Sequence, residues 1–345
     1  MTNSPSSDRD PRGRLSRVAI FQRLDAAIEE LGNFGGMPTP AEAASIWDDI
    51  WHLEAHNSTA LEGNTLVLRE VKNLLDQGRA VGGKELKDYL EVRGYGDAAT
   101  WVYSQARSAG DWAGDDLITL TEVRHVHQLV MEKVWQEAPH EQATTEESPG
   151  GFRRHDIHPF SGGMTPPSWV DVPPQLSSWI QDANALGREI NGGLLVAERV
   201  LRLADLHARF ERIHPFLDGN GRTGRLVMNL ILVKLGWPPV IIFKQDRTKY
   251  LRSLDKADKG DPGPLAEVLS RSIVDNLHRL IVPNVAGPAR LVPLESLASE
   301  DFSYTALRQA ANRGRLDASR ASDGSWRSSR HAVARYIASK YKRES

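Results

Sequence analysis

The stretch His214-Pro215-Phe216-Leu217-Asp218-Gly219-Asn220-Gly221-Arg222-Thr223-Gly224-Arg225 joins two amphipathic segments. Pro215 disfavours helical geometry at His214, so a helix ends near Ile213 and another begins near Arg222. Gly219 and Gly221 permit positive φ and leave room for a ligand where a Cβ would stand. Successive N–H groups in such a turn form an anion nest, reinforced by the N-terminus of the next helix. Arg222 and Arg225, three apart on that helix, share a face and suit a polyphosphate. Asp218 is a hard oxygen ligand for a phosphate-bound Mg²⁺. His214 titrates near neutrality and can accept a proton from a hydroxyl nucleophile. Phe216 reads as an inward anchor of the loop. Taken singly, each feature has a plain structural reading: a tight turn, a solvated arginine face, a core ring. Their combination over twelve residues is what points to a site.

Outward from this turn the periodicity predicts helices over residues 15–31, 39–56, 65–75, 84–106, 117–135, 174–185, 194–213, 222–235, 247–257 and 264–281. Thr39-Pro40-Ala41-Glu42 has the form of a helix start. Residues 149–174, rich in Gly and Pro, break the pattern. Pieces at 153–159 and 164–170 read either as a hairpin about Ser161-Gly162-Gly163 or as an irregular loop. Residues 282–293 carry three prolines and read as a linker. Beyond it come a helix over 304–312, a hairpin turning at Ala321-Ser322-Asp323-Gly324, and a last helix over 331–339.

Composition bounds the rest. The chain has 345 residues, 40% hydrophobic and 26% charged, the profile of a globular protein. It has no cysteine, which excludes disulfides and thiol chemistry and suits a cytoplasmic location. The most apolar stretch, 226–243, is interrupted by Asn229, Lys234, Pro238 and Pro239, so no membrane span is expected. The first 14 residues read as a disordered leader without a secretory signal. Net charge is −2, but residues 301–345 carry ten Lys/Arg against four Asp/Glu, leaving −8 on the body. A basic tail on an acidic body implies two modules with different partners.

The stretch from His214 to Arg225 resembles the Fic family motif, His-x-Phe-x-(Asp/Glu)-Gly-Asn-Gly-Arg-x-x-Arg, at every defined position. Segments 202–210, 120–129 and 250–261 are also similar, so the resemblance covers roughly residues 17–280. It implies an all-α fold, a helical bundle with a small β-hairpin flap, and transfer of AMP from Mg·ATP to a Ser, Thr or Tyr hydroxyl of a protein. By this resemblance His214 is the base and Asp218 holds Mg²⁺. Gly219, Asn220 and Gly221 cradle the α- and β-phosphates, Arg222 assists the leaving pyrophosphate, and Arg225 holds the γ-phosphate. Phe216 and Tyr250 complete the nucleotide set. Tyr250 reads equally well as core. The flap, within 150–172, pairs with the target's backbone by β-augmentation. Gly221 leaves room that the phosphorylating Doc toxins fill with a cationic residue. Relatives often place an Asn before the Gly260-Asp261 pair; Asp258 stands there instead, which puts base selectivity in question.

Ser58-Thr59-Ala60-Leu61-Glu62-Gly63-Asn64 resembles the family's inhibitory pattern, (Ser/Thr)-x-x-x-Glu-(Gly/Asn), and sits before the core. The resemblance implies that Glu62 pairs bidentately with Arg225 and occupies the γ-phosphate position, with Ser58 part of the same device. Relatives with this glutamate also remove AMP, so a hydrolase of the modified target is an alternative. The expected division is a leader (1–14), an N-terminal helical region (15–110), a catalytic core (111–281), a linker (282–293) and a basic unit (294–345). The last is similar to winged helix-turn-helix or excisionase-like modules, which implies DNA contact. A DNA-binding regulator with a nucleotide-sensing body is thus a second alternative, and a homo-oligomer is compatible with either. A metal hydrolase on His155, His158, His207 and His214 lacks metal-type spacing.

Overall fold

The structure is a computed structural model describing residues 15–33, 35–40, 43–80, 82–107, 116–160, 163–191, 193–281, 291–298, 302–320 and 324–341. Among the described residues ten helices form the body: α1 (Arg17–Asn33), α2 (Ala44–Leu61), α3 (Leu68–Gln77), α4 (Leu86–Ser104), α5 (Leu120–Glu137), α6 (Val172–Asn191), α7 (Val196–Ile213), α8 (Asn220–Lys234), α9 (Arg247–Asp258) and α10 (Gly263–Asn276). The all-α class read from the sequence is the class of the structure.

Helix α8 lies at the centre, buried along its whole length apart from Gly221. It packs against α4, α5 and α7, and touches α2 at one side. A helix surrounded on all faces must satisfy its polar side chains internally. Asn229 does so by donating to the Val240 carbonyl at 2.9 Å and to Glu54 at 2.6 Å. Lys234 donates to the Leu117 carbonyl at 3.0 Å and pairs with Glu122 at 2.6 Å. Helices α4 and α5 approach very closely at Gly94, where a Cβ would stand 2.4 Å from the Val130 carbonyl oxygen. Helix α5 starts at a reciprocal cap, with Thr119 accepting from Glu122 N and Glu122 accepting from Thr119 N.

Three departures from the sequence reading bear on the site. Helix α2 continues to Leu61 instead of stopping near His56. Thr59 does not break it, because its hydroxyl donates back to the Ala55 carbonyl at 2.7 Å. Gly63, with φ of 105°, takes the chain out of the helix. Ser58 is therefore helical and Glu62 is the C-cap residue, four positions on and on the same face. The second departure is the flap. Its described residues run as irregular coil without a β-ladder, held by side-chain contacts; Ser161 and Gly162 of the expected turn lie outside the described residues. The two pieces are fixed by Arg153 and Asp156 rather than by strand pairing. The third is α10, which ends at Asn276 and passes into a π-turn, Leu277–Ile281.

Apolar side chains fall into two clusters, one spanning α1 to the π-turn and a smaller one beyond residue 293. The second gathers Leu294, Phe302, Leu307, Leu316 and Val333 around α11 (Tyr304–Asn312) and α12 (Arg330–Tyr341). Strands β1 (Val292–Pro293), β2 (Ala318–Arg320) and β3 (Trp326–Ser328) form an antiparallel sheet in the order β1-β3-β2. The sequence showed the hairpin but not β1, because a two-residue edge strand ending in proline has no pattern of its own. The leader, most of the linker and the hairpin's Ala321-Ser322-Asp323 lie outside the described residues. No helix among the described residues is long and apolar enough to cross a membrane.

Candidate active site

The turn between α7 and α8 is built around His214, the C-cap of α7, with φ 48° and ψ 60°. Among the described residues it is the one non-glycine at positive φ, a conformation that costs roughly 1–2 kcal/mol. Such strain persists only where surrounding contacts over-determine it. Here Arg153 donates from Nε to the His214 carbonyl at 2.9 Å and from its backbone N to the Pro215 carbonyl at 3.0 Å. The loop is closed from inside by Asn220, whose Oδ1 accepts from Phe216 N at 2.9 Å and whose Nδ2 donates to the Phe216 carbonyl at 2.8 Å.

Phe216 is fully buried and stacks on His127, with ring centroids 3.7 Å apart and planes within 2°. Its expected place among the nucleotide-contacting side chains is therefore corrected: the ring faces the core because α5 presents a flat partner there. His127 Nδ1 accepts from Gly150 N at 2.8 Å. Its other nitrogen must then carry the proton, donated to the Asp218 carbonyl at 3.0 Å. Burial pushes this imidazole down to about 4, so it stays neutral.

The His214 imidazole contacts the Glu211 carbonyl through Nδ1 at 3.0 Å. A carbonyl only accepts, so Nδ1 carries the proton and Nε2 holds a free lone pair. Burial pushes the ring down to about 4, with Arg153 adding to the shift, so the neutral form prevails at pH 7. Phe160, from the flap, meets the imidazole edge-on at 5.2 Å.

His214 opens onto a cavity of about 420 Å³. It is lined by Gly221, Arg225 and Glu62, by Tyr250, Leu254 and Asp255 of α9, and by Pro159, Phe160 and Met164 of the flap. The first N–H groups of α8 have no intrahelical acceptors, so the wall at Gly221 attracts anions. Arg225 is buried, and its Nη2 meets Glu62 Oε1 at 2.7 Å. Its Nε donates to Ser58 Oγ at 2.7 Å and Nη2 also reaches the Ser58 carbonyl at 3.0 Å. The bidentate Glu62–Arg225 pair expected from the sequence is thus one hydrogen bond, because Ser58 takes the other edge of the fork. Burial alone would raise the Glu62 carboxyl, but the Arg225 charge and hydrogen bond outweigh it and hold it below the usual range. Glu62 sits against Gly221, where a Cβ would stand 2.5 Å from its Oε1.

The two motif arginines do not share the cavity as the spacing suggested. The Arg222 guanidinium, 4% exposed, turns toward α4, with Nη1 3.4 Å from Glu91 and Nη2 3.5 Å from Asp218. Buried Glu91 draws it there, since an unpaired buried charge is costly. Asp218 is half-exposed and bonds Gly219 N at 2.6 Å. Burial would raise its carboxyl, but Arg222 holds it low, so it is ionised. It faces a second recess, which it lines with Lys87 and Trp135. Gly219, with φ of 75°, is needed sterically as well, since a Cβ would stand 2.6 Å from Met131 Sδ.

Tyr250 lines the cavity but its hydroxyl is already 2.7 Å from His207 Nε2. Asp258 pairs with Arg212 at 3.5 Å, and Asp255 stands on the cavity wall instead. His155 and His158 are not brought together with His207 and His214 as a cluster, and no metal-ligand group of three or more exists among the described residues. Sequence reasoning missed Glu211, Arg247, Arg153 and His127. Glu211 lines the cavity with Oε1 unpartnered, and burial pushes its carboxyl up to about 8. Only its place three residues before His214 hinted at this.

Comparison with known proteins is consistent with this geometry. Residues 117–232 match the model of the Fic/DOC family. A protein named protein adenylyltransferase Fic from Aedes aegypti is 30% identical over 284 residues, 80% of this chain and 51% of the relative. The protein of the same name from Culex quinquefasciatus is 29% identical over 309 residues, covering 88% and 55% respectively. The chain thus spans about half the length of the curated relatives it matches. Among solved structures, C. elegans Fic-1 (residues 134–508) superposes with a TM-score of 0.60 at 26% identity, covering 76% of this chain and 71% of that one. A Fic domain-containing signaling protein from Bacteroides thetaiotaomicron superposes at 0.59 with 24% identity, covering 76% and 96%, and shares the fold.

Proposed function

We propose that this chain, which carries a Fic/DOC domain over residues 117–232, transfers AMP from Mg-bound ATP to a hydroxyl side chain of a target protein and is held in check by Glu62. The observation that carries the reading is that the free Nε2 of His214 and the guanidinium of Arg225 open onto one cavity beside the N-terminus of α8. In the reaction the target hydroxyl oxygen bonds to the α-phosphorus as the bond to the β-phosphate oxygen breaks. The proton passes to His214 Nε2 and pyrophosphate leaves. Catalysis of this kind rests on positioning and charge stabilisation.

Gly221 and the first amides of α8 receive the phosphates, and Arg225 the terminal one. Asn220 keeps the loop in shape, and Arg222 acts from the α4 side by fixing Asp218. The Asp218 carboxylate, ionised and half-exposed, suits a hard divalent cation. With a single carboxylate at hand, Mg²⁺ would be held jointly with the nucleotide's phosphates and would offset their charge. Tyr250 supports the cavity wall near the nucleoside. The apolar side formed by Leu254, Phe160 and Met164 suits a base and ribose. The flap receives the target backbone along its two pieces.

The carboxylate of Glu62 occupies the part of the cavity that a γ-phosphate would take, which supports autoinhibition. Glu62→Gly is expected to raise incorporation from α-³²P-ATP by about tenfold or more, in line with one lost charge-assisted hydrogen bond. Adding His214→Ala should abolish the labelling, and labelling that survives that change sinks the reading. A second reading, removal of AMP by water oriented on Glu62, draws on the single bond of the pair, which leaves Oε2 uncommitted. Release of AMP from a pre-labelled target, lost in Glu62→Gly, tests it.

The basic tail we assign to DNA. Exposed Arg308, Arg313, Arg315 and Arg320 stand on α11 and the adjoining hairpin of a compact winged unit. Duplex affinity falling steeply with salt is expected; affinity indifferent to salt would rule the assignment out.

A further inference from the structure

We propose that Arg153 is a positioning residue that couples the flap to the imidazole of His214, so that target docking and proton acceptance are set by one guanidinium. Its side chain is completely buried, yet its nearest carboxylate, Asp156, is 3.8 Å away and largely exposed. A buried cation of this kind needs compensation from elsewhere. It finds it in backbone carbonyls drawn from two segments. On the catalytic side, Nε donates to the His214 carbonyl at 2.9 Å and Nη2 approaches the Ile213 carbonyl at 3.5 Å. On the flap side, Nη1 donates to the His155 carbonyl at 3.1 Å and Nη2 to the Pro167 carbonyl at 2.6 Å. Its own backbone N–H donates to Pro215 at 3.0 Å.

Three consecutive carbonyls, those of Ile213, His214 and Pro215, therefore point at one residue. They bracket the left-handed His214, a conformation uncommon outside glycine that these contacts hold in place. The planar fork of an arginine can serve several carbonyls at fixed angles, which a lysine's point charge cannot. The same fork bridges the two pieces of the flap, which lack a ladder of their own among the described residues. Asp156 locks the second piece from outside by accepting from Trp169 N at 2.8 Å and Ser168 Oγ at 3.1 Å. Phe160 then rests on the imidazole. A shift of the flap thus moves Pro167 and Phe160, and with them the atoms that orient His214.

The test uses the full chain carrying Glu62→Gly, so that the brake does not limit the rate, with and without Arg153→Lys. Lysine keeps the charge but cannot hold carbonyls from both sides, so any change reports geometry. The proposal rests on the adenylyl-transfer reading only for its rate arm. His214 titration, followed by imidazole NMR and assigned by its loss in His214→Ala, is independent of activity. Arg153→Lys is expected to raise the His214 midpoint by about one pH unit as the ring loosens into solvent. It should slow transfer roughly 100-fold, the effect of a small misplacement, while ATP affinity by calorimetry stays within about threefold.

An unchanged His214 titration overturns the proposal. So does a fall in ATP affinity in step with rate, which would make Arg153 a general support of the cavity. If the parent labels no protein but Arg153→Lys still moves the titration, the positioning role stands and the transfer reading fails. Should Arg153→Lys not fold, Asp156→Ala, at an exposed site, decides. It is expected to move the His214 resonance in the same direction, and no movement overturns the proposal.

Discussion

At the scale of single residues, the site is a contest for Arg225. Its guanidinium is buried with three competing acceptors: the Ser58 hydroxyl, the Ser58 carbonyl and Glu62. Ser58 thus supplies two of these acceptors and is half of the proposed lock. Ser58→Ala removes a hydrogen bond to a charged group, worth roughly 1.5–3 kcal/mol, while leaving Glu62 in place. Transfer by this variant is expected to rise about tenfold yet remain below that of Glu62→Gly. A rate equal to wild type would show that Glu62 alone closes the site. The twelve-residue motif made the participants legible because its chemistry is local: glycines, a histidine before proline, carboxylate, arginines. The inward turn of Phe216 was legible, though not the ring it stacks on, and the direction of Arg222 was not legible. The last two depend on His127 and Glu91, residues far away in sequence whose proximity exists only in the fold. Arg153 and Glu211 escaped for the same reason, since a lone arginine or glutamate carries no spacing signal.

At the scale of elements, the proposed brake sits on a helix tied to both walls of the site. Helix α2 is pinned by Glu54, whose carboxyl group is hydrogen-bonded with Tyr95 at 2.8 Å, with Tyr103, and with Asn229 at 2.6 Å. These partners come from α4 and α8, so α2 is tied to both walls of the site. Asn57 adds a further tie, accepting from Lys244 N at 3.1 Å. If the proposed inhibition holds, its relief is expected as a motion of the last turn, from Ser58 to the glycine at 63, rather than a swing of α2. Hydrogen exchange on Glu62→Gly is accordingly expected to leave amides 48–57 as protected as in the parent, with faster exchange confined to residues 58–66. Loss of protection along all of α2 would show that the whole helix detaches. The helices were readable from their apolar period, and most ends fell within a few residues. Among the exceptions, α2 begins at Ala44 rather than at Thr39 and α6 runs on to Asn191, while three others have local causes that periodicity does not record: back-bonding by Thr59, a π-turn after Asn276, and a flap held by side chains instead of strand pairing.

At the scale of the whole molecule, the largest shifts among the described residues near neutral pH belong to five buried groups, and they bear on how stability varies with pH. Burial lowers His127 and His214 to about 4 and His207 to about 3, while it raises Glu54 to about 7 and Glu211 to about 8. Each histidine stays unprotonated in the fold but binds a proton when unfolded below its ordinary value near 6.5. The unfolded state then holds more protons, and stability falls as pH drops from 6.5 toward 4. Each glutamate does the reverse. Folded, it keeps a proton that the unfolded chain has lost above 4.5, so stability falls as pH rises toward 7 and 8. Between 4.5 and 6.5 the two sets oppose one another, with these three histidines, joined by His56, whose value burial also lowers, against two carboxyls. Above 6.5 only the carboxyls act, at up to about 1.4 kcal/mol per pH unit for each. The melting temperature is therefore expected to peak near pH 6.5 and to decline on both sides. Glu54→Gln with Glu211→Gln should flatten the alkaline limb and leave the acid limb intact, because the histidines are untouched. Thermal melts from pH 4.5 to 9 in one buffer series read this directly. A parent whose stability is level or rising between 6.5 and 8 would mean that neither carboxyl holds its proton in the fold, and that Glu211 faces the cavity as an anion beside Glu62.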